Sequence, residues 1–594
     1  MGRHDSRQHE GDTMRVNDVT LKVGGEAGSG ILTVGNMFAK LMQKSGLQVF
    51  LTNDYPSLIK GGHNTITVRA AAQRIWALAA GVDILIALDK KTVQEHCKEM
   101  HPDGAIIYDS AKLKEEDVKN GRADVRLVGV PLSKMATEAG GEIFFNQAAM
   151  GAMLALLGMD LAKYDRMIEK TFGRKGEQVV SQNKKVVRAG ADFLRANYPA
   201  QFGVRIEPVE SDSRTMLLNG NDAVCAGALA AGVQLVAEYP MSPSSSVLHW
   251  MAAHAVKYNI VVKHTEDEIA AMNWLCGAGF AGVRCMTATS GGGFSLMAEA
   301  LGNAGMAEIP CVVIEDQRCG PSTGLPTYTE QADLRFALHA SQGEFPRIVA
   351  CPGDPQEAFW TAVDVFNMAD LVQTPAIILM DKYLAESAMT IPSLKAEQVR
   401  IDRGLLQTDA QMADAVGFRR HALSASGISP RCLPGQKNGI HVCSSYEHDE
   451  TGFTSEEAHM RVSQIDKRAR KMKAISPLLY QPAFFGAQDS DSLLISWGST
   501  KGVVMEALKQ LEKEGKGVRF MHIRYASPFA ADTISSAIKR AKKCLIIEGN
   551  SEGQMRDLIR EKTGLLIPQF YGRYDGRPFE AEEVAAVVRE RLLK

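Results

Sequence analysis

The stretch NIVVKHTEDEIAAMNWLCGAGFAG, residues Asn259–Gly282, carries the alternation that decides the fold. It opens with the β-branched run IVV, which predicts a buried strand, and the acidic turn TEDE follows at once. From Ile269 onward, small and apolar residues predict a closely packed helix. A buried strand that passes directly into a helix indicates a βα unit, the building block of a sheet covered by helices.

The same alternation extends in both directions from this unit and predicts four segments. Residues 1–205 alternate between strand and helix from VTLKVGG onward, and residues 206–390 restart the pattern after a charged, proline-containing stretch. In residues 391–485 the apolar periodicity fades into polar sequence, which predicts an extended charged arm with one helix. Residues 486–594 return to alternation, beginning at SLLISWGST. The fold class is therefore α/β, with three α/β domains and an arm before the last of them.

The composition excludes several classes of protein. With 594 residues, of which 45% are hydrophobic and 23% charged, the chain is typical of multidomain globular proteins. A formal net charge of -2 without a basic block argues against nucleic-acid binding. The most apolar long run, residues 223–237, is too short to span a membrane. No secretory signal is visible, so we expect a cytoplasmic protein whose polar N-terminus, up to about residue 14, is disordered.

The ten cysteines are scattered along the chain, and no two of them have the C-x-x-C spacing. Iron–sulfur and zinc sites built from one loop usually have that spacing. Scattered thiols in apolar stretches are typical of reduced cysteines in a cytoplasmic protein. We therefore expect no iron–sulfur cluster on this chain.

A glycine-rich loop, GGEAGSG at residues 24–30, joins the first predicted strand to the first predicted helix. Backbone N–H groups at such a helix N-terminus can face a phosphate. The spacing GGxxGxG is neither the dinucleotide-binding pattern nor the Walker pattern. Two interpretations stay open at this point, a phosphate site that involves Gly28 and Gly30 or a tight strand-to-helix turn.

Five motifs follow one another along the chain: VGGEAGSGILTVGNMFAK from Val23, DYPSLIKGGHNTITVR from Asp54, AEYPMSPSSS from Ala237, TATSGGGFSLM from Thr287 and QRCGPSTGLPT from Gln317. In these motifs, and nearly end to end, the chain resembles the alpha subunit of 2-oxoacid:ferredoxin oxidoreductases, of the 2-oxoglutarate type with a fused gamma domain. The resemblance implies a gamma-type domain, a pyrimidine-binding thiamine diphosphate domain, the arm, and a domain similar to the C-terminal domain of transketolase. The implied reaction is oxidative decarboxylation of a 2-oxoacid with coenzyme A to acyl-CoA, CO₂ and reduced ferredoxin, or its reverse.

Glu268 is the residue that we expect to activate thiamine diphosphate. In thiamine enzymes a carboxylate hydrogen-bonds the aminopyrimidine and so assists deprotonation of the thiazolium carbon. That glutamate usually opens a helix, and about nine residues on a glycine allows the helix to pack closely. Gly277 has that offset from Glu268, so we expect close packing at Gly277. Glu266 would lie about 200° away around a helix. For an isolated TEDE, an acidic first turn favoured by the helix dipole is the alternative, but the surrounding motifs favour catalysis.

The resemblance implies that three further residues bind the substrate. Ser242 stands where the family has a threonine, whose hydroxyl contacts the substrate's carboxylate or keto group. Arg318 would clamp the carboxylate, because a guanidinium grips two oxygens at once, although an arginine after a strand is more often a surface residue. Thr327 neighbours Arg318 in the family's pocket. Gly292 replaces the proline of the family's TSGPGFSLM, which affects the rigidity expected of that loop.

The GDG motif, with which thiamine enzymes hold the diphosphate through a divalent metal, is absent from the sequence. The resemblance therefore implies a beta subunit that brings the diphosphate site, Mg²⁺ and a [4Fe–4S] cluster. Coenzyme A would be a substrate, and the resemblance links it to Gly28 and Gly30 of the gamma-type domain. Ferredoxin and an (alpha–beta)₂ assembly complete the expected partners, with no metal ligand on this chain.

Two alternatives remain open from the sequence. One keeps the chemistry and changes the substrate to pyruvate or to a branched or aryl 2-oxoacid. The other is a non-catalytic, nucleotide-binding scaffold subunit, against which the order of the motifs argues. In the last domain we expect Glu548 and Gln554 to be architectural, not catalytic.

Overall fold

The computed structural model describes residues 14–57, 62–119, 121–141, 144–210 and 214–594. The chain forms two compact units, Met1–Leu217 with Ala388–Ser393, and Leu218–Ser387 with Leu394–Lys594. The N-terminal stretch that was expected to be disordered lies outside the described residues up to residue 13. Within the described part of the chain, no helix is long and apolar enough to cross a membrane.

The first unit contains a mixed sheet and a small parallel strand pair, with helices packed around them. Its strands are β1 (Arg15–Val16), β2 (Asp18–Glu26), β3 (Gln48–Asp54), β4 (His63–Ala71), β5 (Val82–Ala87), β6 (Met100–Asp109), β7 (Arg126–Val130), β8 (Val204–Arg205), β9 (Thr215–Leu218) and β16 (Ala388–Pro392). Its helices are α1 (Ile31–Lys44), α2 (Lys90–His96), α3 (Glu115–Lys119), α4 (Leu132–Glu138), α5 (Phe145–Leu156), α6 (Ala162–Phe172) and α7 (Glu177–Asn197).

The large sheet of the first unit has the strand order β7-β6-β5-β2-β4-β3-β16-β9. Strands β2, β5, β6 and β7 are parallel, whereas β4 runs antiparallel between β2 and β3. Val19, Leu21 and Val23 of β2 are fully buried, as expected for a strand inside a sheet that helices cover. The predicted strand VTLKVGG and the predicted helix that follows it are confirmed as β2 and α1.

The sequence pattern placed domain boundaries after residues 205 and 390, and the limits of the first unit differ from both. Residues up to Leu217 belong to this unit, and so does the distant segment Ala388–Ser393. The reason is strand pairing, because β16 lies antiparallel to β3 with Ala388 opposite Leu51. A pairing between residues so far apart in the chain leaves no trace in local periodicity.

The second unit contains all the remaining elements. Its strands are β10 (Leu235–Glu238), β11 (Val261–His264), β12 (Cys285–Thr289), β13 (Cys311–Gln317), β14 (Ile348–Ala350), β15 (Pro375–Asp381), β17 (Ala483–Gly486), β18 (Ser492–Trp497), β19 (Arg519–Ile523), β20 (Tyr525–Ser527), β21 (Lys543–Glu548) and β22 (Gln569–Gly572). Its helices are α8 (Gly220–Ala230), α9 (Ser245–Tyr258), α10 (Glu268–Phe280), α11 (Gly291–Met306), α12 (Leu334–His339), α13 (Pro355–Val372), α14 (Lys382–Glu386), α15 (Asp409–Ala413), α16 (Ala458–Arg470), α17 (Thr500–Lys513), α18 (Ala531–Arg540), α19 (Gln554–Thr563) and α20 (Ala581–Arg591).

The two sheets of the second unit have the orders β11-β10-β12-β13-β15-β14-β20 and β17-β19-β18-β21-β22. In the first of them every pair is parallel except β14 with β20. Strand β20 comes from the C-terminal segment, so the third predicted domain adds an edge strand to the sheet of the second. Lys501 of α17 extends this connection, because its ammonium group is buried between Asp354 and Glu357 of the second domain.

The arm, for which one charged helix was expected, contains the short helix α15 and one long charged helix, α16. Its charged face is turned inward, since Lys467 and Arg468 are buried and Lys471 just beyond the helix is buried as well. The amino groups of Lys467 and Lys471 contact the carboxylate of Glu308, which follows α11. The polar sequence predicted an extended charged arm, and buried ion pairs attach this arm to the rest of the second unit.

Candidate functional site

The candidate site lies at the carboxyl ends of the parallel strands β10, β11, β12 and β13. In such sheets the loops after the strands meet along one edge, and ligands bind there. Ser242 follows β10, Glu268 follows β11, Gly292 follows β12, and Arg318 and Thr327 follow β13. The structure therefore places the predicted residues of the thiamine and substrate sites on neighbouring loops of one sheet.

Glu268 is the first residue of α10, and Asp267 before it caps the helix by accepting a hydrogen bond from the backbone N–H of Ala270. The side chain of Glu268 is only 3% exposed, whereas Glu266 is exposed and precedes the helix. Among the described residues, Oε1 of Glu268 has no hydrogen-bond partner. Burial raises the pKa of Glu268, with a smaller contribution in the same direction from Asp267. The site thus presents a carboxyl oxygen that is ready for an additional partner.

The glycines around Glu268 have roles that differ from the sequence prediction. Gly277, which was expected to pack closely, has open space where a side chain would be, so this expectation is wrong. The close approach is at Gly279, where a Cβ atom would lie 2.5 Å from the carbonyl oxygen of Pro310. Gly293 at the start of α11 is equally constrained, because a Cβ there would collide with Oε1 of Glu268 and with the hydroxyl of Thr289. A glycine in the TSGGGFS motif thus makes room for the carboxyl group.

Arg318 and Ser242 are in direct contact. The Nη1 atom of Arg318 donates a hydrogen bond to the carbonyl oxygen of Ser242 at 2.7 Å. Arg318 is half-buried, and this burial lowers its pKa, while the nearby Asp333 raises it. The guanidinium group nevertheless remains charged, because arginine is not deprotonated in proteins. Among the described residues, no carboxylate forms an ion pair with this guanidinium. Thr327 is buried, and its hydroxyl has no hydrogen-bond partner in the described part of the chain.

The loop that contains Ser242 also approaches the loop that contains Glu268. A Cβ atom at Gly292 would lie 3.9 Å from the sulfur of Met241, next to Ser242. Because Gly292 precedes Gly293, which lies against Glu268, these contacts connect the carboxyl group to the Arg318–Ser242 pair. The three family motifs of this domain therefore meet in space as well as following one order in the sequence.

Several buried acidic residues near these loops were not among the predicted site residues. Glu238 ends β10 and Glu315 and Asp316 lie in β13, and all three are fully buried. Burial raises the pKa of each carboxyl well above its usual range, and neighbouring carboxyls add to the shift, Asp316 for Glu238 and Asp333 for Glu315. The sequence does contain a signal for these buried acids, because each stands at the end of an apolar run, as in LVAE and CVVIED.

The glycine-rich loop of the first unit is built around Gly28 and Gly30. Both adopt the left-handed backbone conformation, with φ of 91° and 80°, which glycine adopts without strain. Gly30 is the N-cap of α1, and a Cβ there would collide with the side chain of Asn146. Gly28 is exposed, and nothing lies within 4 Å of the position of its missing side chain. Both interpretations of this loop are compatible with that geometry.

The polar residues of the C-terminal segment form a closed network. Glu548 is fully buried and accepts hydrogen bonds from Trp497, Asn550 and the backbone N–H groups of Met555 and Arg556. Gln554 donates a hydrogen bond to the carbonyl oxygen of Ala332 at 2.6 Å. Glu548 therefore holds a helix N-terminus in place, as an architectural residue does.

Family models match three parts of the chain. The model for the thiamine-diphosphate-binding region of pyruvate flavodoxin/ferredoxin oxidoreductases matches residues 226–467. The model for pyruvate ferredoxin/flavodoxin oxidoreductases matches residues 20–193, and the model for the transketolase C-terminal domain matches residues 486–559. The fold and the site thus define a thiamine-diphosphate-binding subunit of an oxidoreductase.

Relatives of known name extend over almost the whole chain. The alpha subunit of 2-oxoacid:ferredoxin oxidoreductase 2 from Aeropyrum pernix is 33% identical over 97% of this chain and 98% of its own length. The 2-oxoglutarate oxidoreductase subunit KorA of Mycobacterium tuberculosis is 28% identical over 99% of this chain and 94% of that protein. The solved 2-oxoglutarate:ferredoxin oxidoreductase of Magnetococcus marinus is 31% identical, with a TM-score of 0.90 over 97% of this chain and 99% of that one. The chain belongs to the family of 2-oxoacid:ferredoxin oxidoreductase alpha subunits.

Proposed function

We propose that the chain is the alpha subunit of a 2-oxoglutarate:ferredoxin oxidoreductase, which forms succinyl-CoA, CO₂ and reduced ferredoxin. The observation that carries the proposal is the buried carboxyl of Glu268 at the edge where the loops of four parallel strands meet. The Magnetococcus marinus enzyme, solved with 2-oxoglutarate, coenzyme A and succinyl-CoA bound, supports the choice of substrate.

Glu268 is the group that we assign to the aminopyrimidine of thiamine diphosphate. When bound, this cofactor supplies a carbon nucleophile and an electron sink for decarboxylation. Oε1 of Glu268 is buried and has no hydrogen-bond partner among the described residues, so it fits a ring nitrogen. Burial raises the pKa of Glu268, which makes its carboxylate a stronger proton acceptor toward that nitrogen.

Arg318, Ser242 and Thr327 are assigned to the 2-oxoacid. The hydrogen bond from Nη1 of Arg318 to the carbonyl oxygen of Ser242 fixes the orientation of the guanidinium group. Its remaining N–H groups are left to bind a carboxylate. Thr327 offers a buried hydroxyl without a partner in the described part of the chain. Such a hydroxyl would hydrogen-bond a substrate oxygen, which removes the unfavourable burial of an unpaired polar group.

A beta subunit is assigned the diphosphate, Mg²⁺ and a [4Fe–4S] cluster that passes electrons to ferredoxin, within an (alpha–beta)₂ assembly. The absence of GDG from the sequence supports this division, and the relatives are named alpha subunits. Ile269 and Trp274 on α10 and Leu296 on α11 are between 44% and 49% exposed. An exposed apolar surface beside a cofactor site is typical of a protein–protein contact. The ten free thiols, nine of them buried, support a cytoplasmic location.

Coenzyme A is assigned to the glycine-rich loop with Gly28 and Gly30. The exposed Gly28 leaves the backbone at the N-terminal end of α1 open to a phosphate group. Because α1 has 14 residues, its dipole favours an anion at this end.

The test is an assay of the chain purified in complex with its GDG-containing partner. We expect reduction of ferredoxin or of a viologen dye to require coenzyme A, with the highest kcat/KM for 2-oxoglutarate. Pyruvate, branched and aryl 2-oxoacids serve as competing substrates, and a complex that carries Glu268→Gln serves as the inactive control. Preference for another 2-oxoacid would change only the proposed substrate and would leave the proposed class of enzyme unchanged. Binding of a nucleotide without turnover of any 2-oxoacid would favour the scaffold alternative.

A further inference from the structure

A cluster of two histidines and a glutamate lies in the first unit, outside the site described above. His63 is the first residue of β4, and Glu95 and His96 are the last two residues of α2. The Nε2 atoms of the two imidazole rings face each other at 2.9 Å, and Nε2 of His63 lies 3.7 Å from Oε2 of Glu95. One ligand atom from each residue falls within 4.8 Å of the other two, the spread that a single metal ion requires.

The surroundings of His96 prepare its Nε2 atom to act as a ligand. Its Nδ1 atom lies 2.7 Å from Oε1 of Glu99, and the ammonium group of Lys22 holds the other oxygen of that carboxylate. An N–H donated from Nδ1 to the carboxylate leaves the lone pair on Nε2. Carboxylates hydrogen-bonded to the second nitrogen of a ligating histidine are common around zinc.

The imidazole rings of the cluster are largely shielded from solvent. The side chains of His63 and His96 are 7% and 14% exposed. The charged groups that face the cluster are Glu95, Glu99, Asp89, Lys91 and Lys22. Glu95 is 45% exposed, so a bound ion would keep a position open toward solvent.

We propose that His63, His96 and Glu95 form a binding site for a divalent transition metal of the zinc class. Imidazole nitrogen with one carboxylate is a ligand set that suits Zn²⁺, and Mg²⁺ and Ca²⁺ prefer all-oxygen sites. The metal joins α2 to β4 beside the glycine-rich loop, because Glu26 pairs with His63 and a Cβ at Gly24 would lie 3.2 Å from the His63 ring. None of its three residues is assigned to the proposed thiamine site, and the proposal differs from the expectation that the chain carries no metal ligand.

The experiment titrates Co²⁺, a coloured substitute for Zn²⁺, into the full-length chain. We expect visible d–d absorption that saturates at one ion per chain, that Zn²⁺ displaces, and that accompanies a rise in melting temperature. His63→Gln and His96→Gln should abolish the absorption, and Glu99→Gln should weaken binding roughly 10–100-fold, the usual effect of losing such a partner. His101→Gln, in β6 of the same unit, is the matched control and should bind like the wild type.

Two results would overturn the proposal. One is a wild-type chain that shows no saturable Co²⁺ absorption, in which case the two imidazoles merely hydrogen-bond each other. The other is absorption that survives in both His63→Gln and His96→Gln while all variants melt cooperatively, which would place the metal on other residues. Because absorption and melting are measured without turnover, neither result depends on the proposed enzymatic function.

Discussion

Glu268 lies in the first turn of α10 and is only 3% exposed. One oxygen of its carboxyl group has no hydrogen-bond partner among the described residues. A buried polar atom without a partner destabilises a fold, so its presence indicates a ligand that completes the hydrogen bond. Gly293 and Thr289 border the same carboxyl group. The neighbouring residues therefore leave space for the carboxyl group of Glu268, although its burial lowers the stability of the fold. Functional sites often have this property.

The first prediction is that Glu268→Gln abolishes activation of the cofactor. An amide has nearly the same shape as a carboxyl group but lacks its acid–base function, so we expect a loss on the order of 10²-fold or more. The measurement is C2–H exchange of bound thiamine diphosphate, followed by NMR in the reconstituted complex. Glu266→Gln is the matched control, because Glu266 is exposed and lies outside the helix.

Two outcomes would change this assignment. Fast exchange in Glu268→Gln together with a collapse in Glu266→Gln would move the activating role to Glu266. Unchanged exchange in both variants would mean that the activating carboxylate belongs to another polypeptide.

The second prediction concerns the stability of the chain without cofactor. Because burial raises the pKa of Glu268 above its usual value of 4.5, the folded state binds the proton more tightly than the unfolded state does. The wild type therefore loses stability as the pH rises from about 4.5 through the folded pKa. We expect Glu268→Gln to remove this loss and to be more stable than the wild type at neutral pH, as measured by urea unfolding. A stability difference that does not change with pH would contradict the raised pKa.

The third prediction is that Arg318→Lys reduces kcat/KM for the 2-oxoacid. A lysine keeps the charge but cannot hold Ser242 and a carboxylate with one planar fork, so we expect a loss of roughly 2–4 kcal/mol. Arg335→Lys is the control, because Arg335 is 44% exposed and pairs with Glu552 and Asp557 at the surface. Wild-type kcat/KM in Arg318→Lys would place the substrate clamp elsewhere.

At the scale of single elements, α16 shows how a polar helix can be firmly held. Glu308 is fully buried and contacts Lys467, Lys471 and Nδ1 of His421. Burial alone would raise the pKa of Glu308, but Lys471 and Lys467 outweigh it and hold the pKa well below its usual range. One carboxylate therefore neutralises cations that would otherwise be buried without a counter-charge.

The fourth prediction is that Glu308→Gln releases the arm. Removing one partner of a buried ion pair leaves the other charge uncompensated, which costs about 3–5 kcal/mol. We expect faster cleavage of the arm, residues 391–485, by a protease and a lower midpoint of urea unfolding. Glu450→Gln tests an ion pair of the same arm at a more exposed position, with Arg419, and should cost at most about 1 kcal/mol. Equal protease resistance in the two variants would show that apolar contacts hold the arm.

At the scale of the whole molecule, we have proposed that a beta subunit supplies the diphosphate site and the iron–sulfur cluster. The fifth prediction is that the chain purified alone is colourless, lacks the broad absorption near ~400 nm of iron–sulfur proteins, and binds thiamine diphosphate weakly. The reason is that neither GDG nor a C-x-x-C spacing occurs in the sequence. The complex with the GDG-containing partner should be brown and bind the cofactor tightly. A brown, active preparation of the single chain would contradict the prediction.

The sequence by itself determined the α/β class, the order of the domains, the family and the candidate residues around TEDE, YPMSPSSS and QRCGPSTG. These features are local, because strand and helix periodicity and motif spacing are set by residues within a few turns of one another. For the same reason the choice of Glu268 before Glu266 was possible, and the structure makes the first buried and the second exposed.

Only the tertiary structure decided which distant segments meet. It placed β16 in the sheet of the first unit and β20 beside β14, turned the lysines of α16 inward, and gave the close packing to Gly279 instead of Gly277. It also brought Gly293 against Glu268. Each of these contacts depends on strand register and on the packing of side chains across elements, and neither is encoded in the periodicity of a single segment.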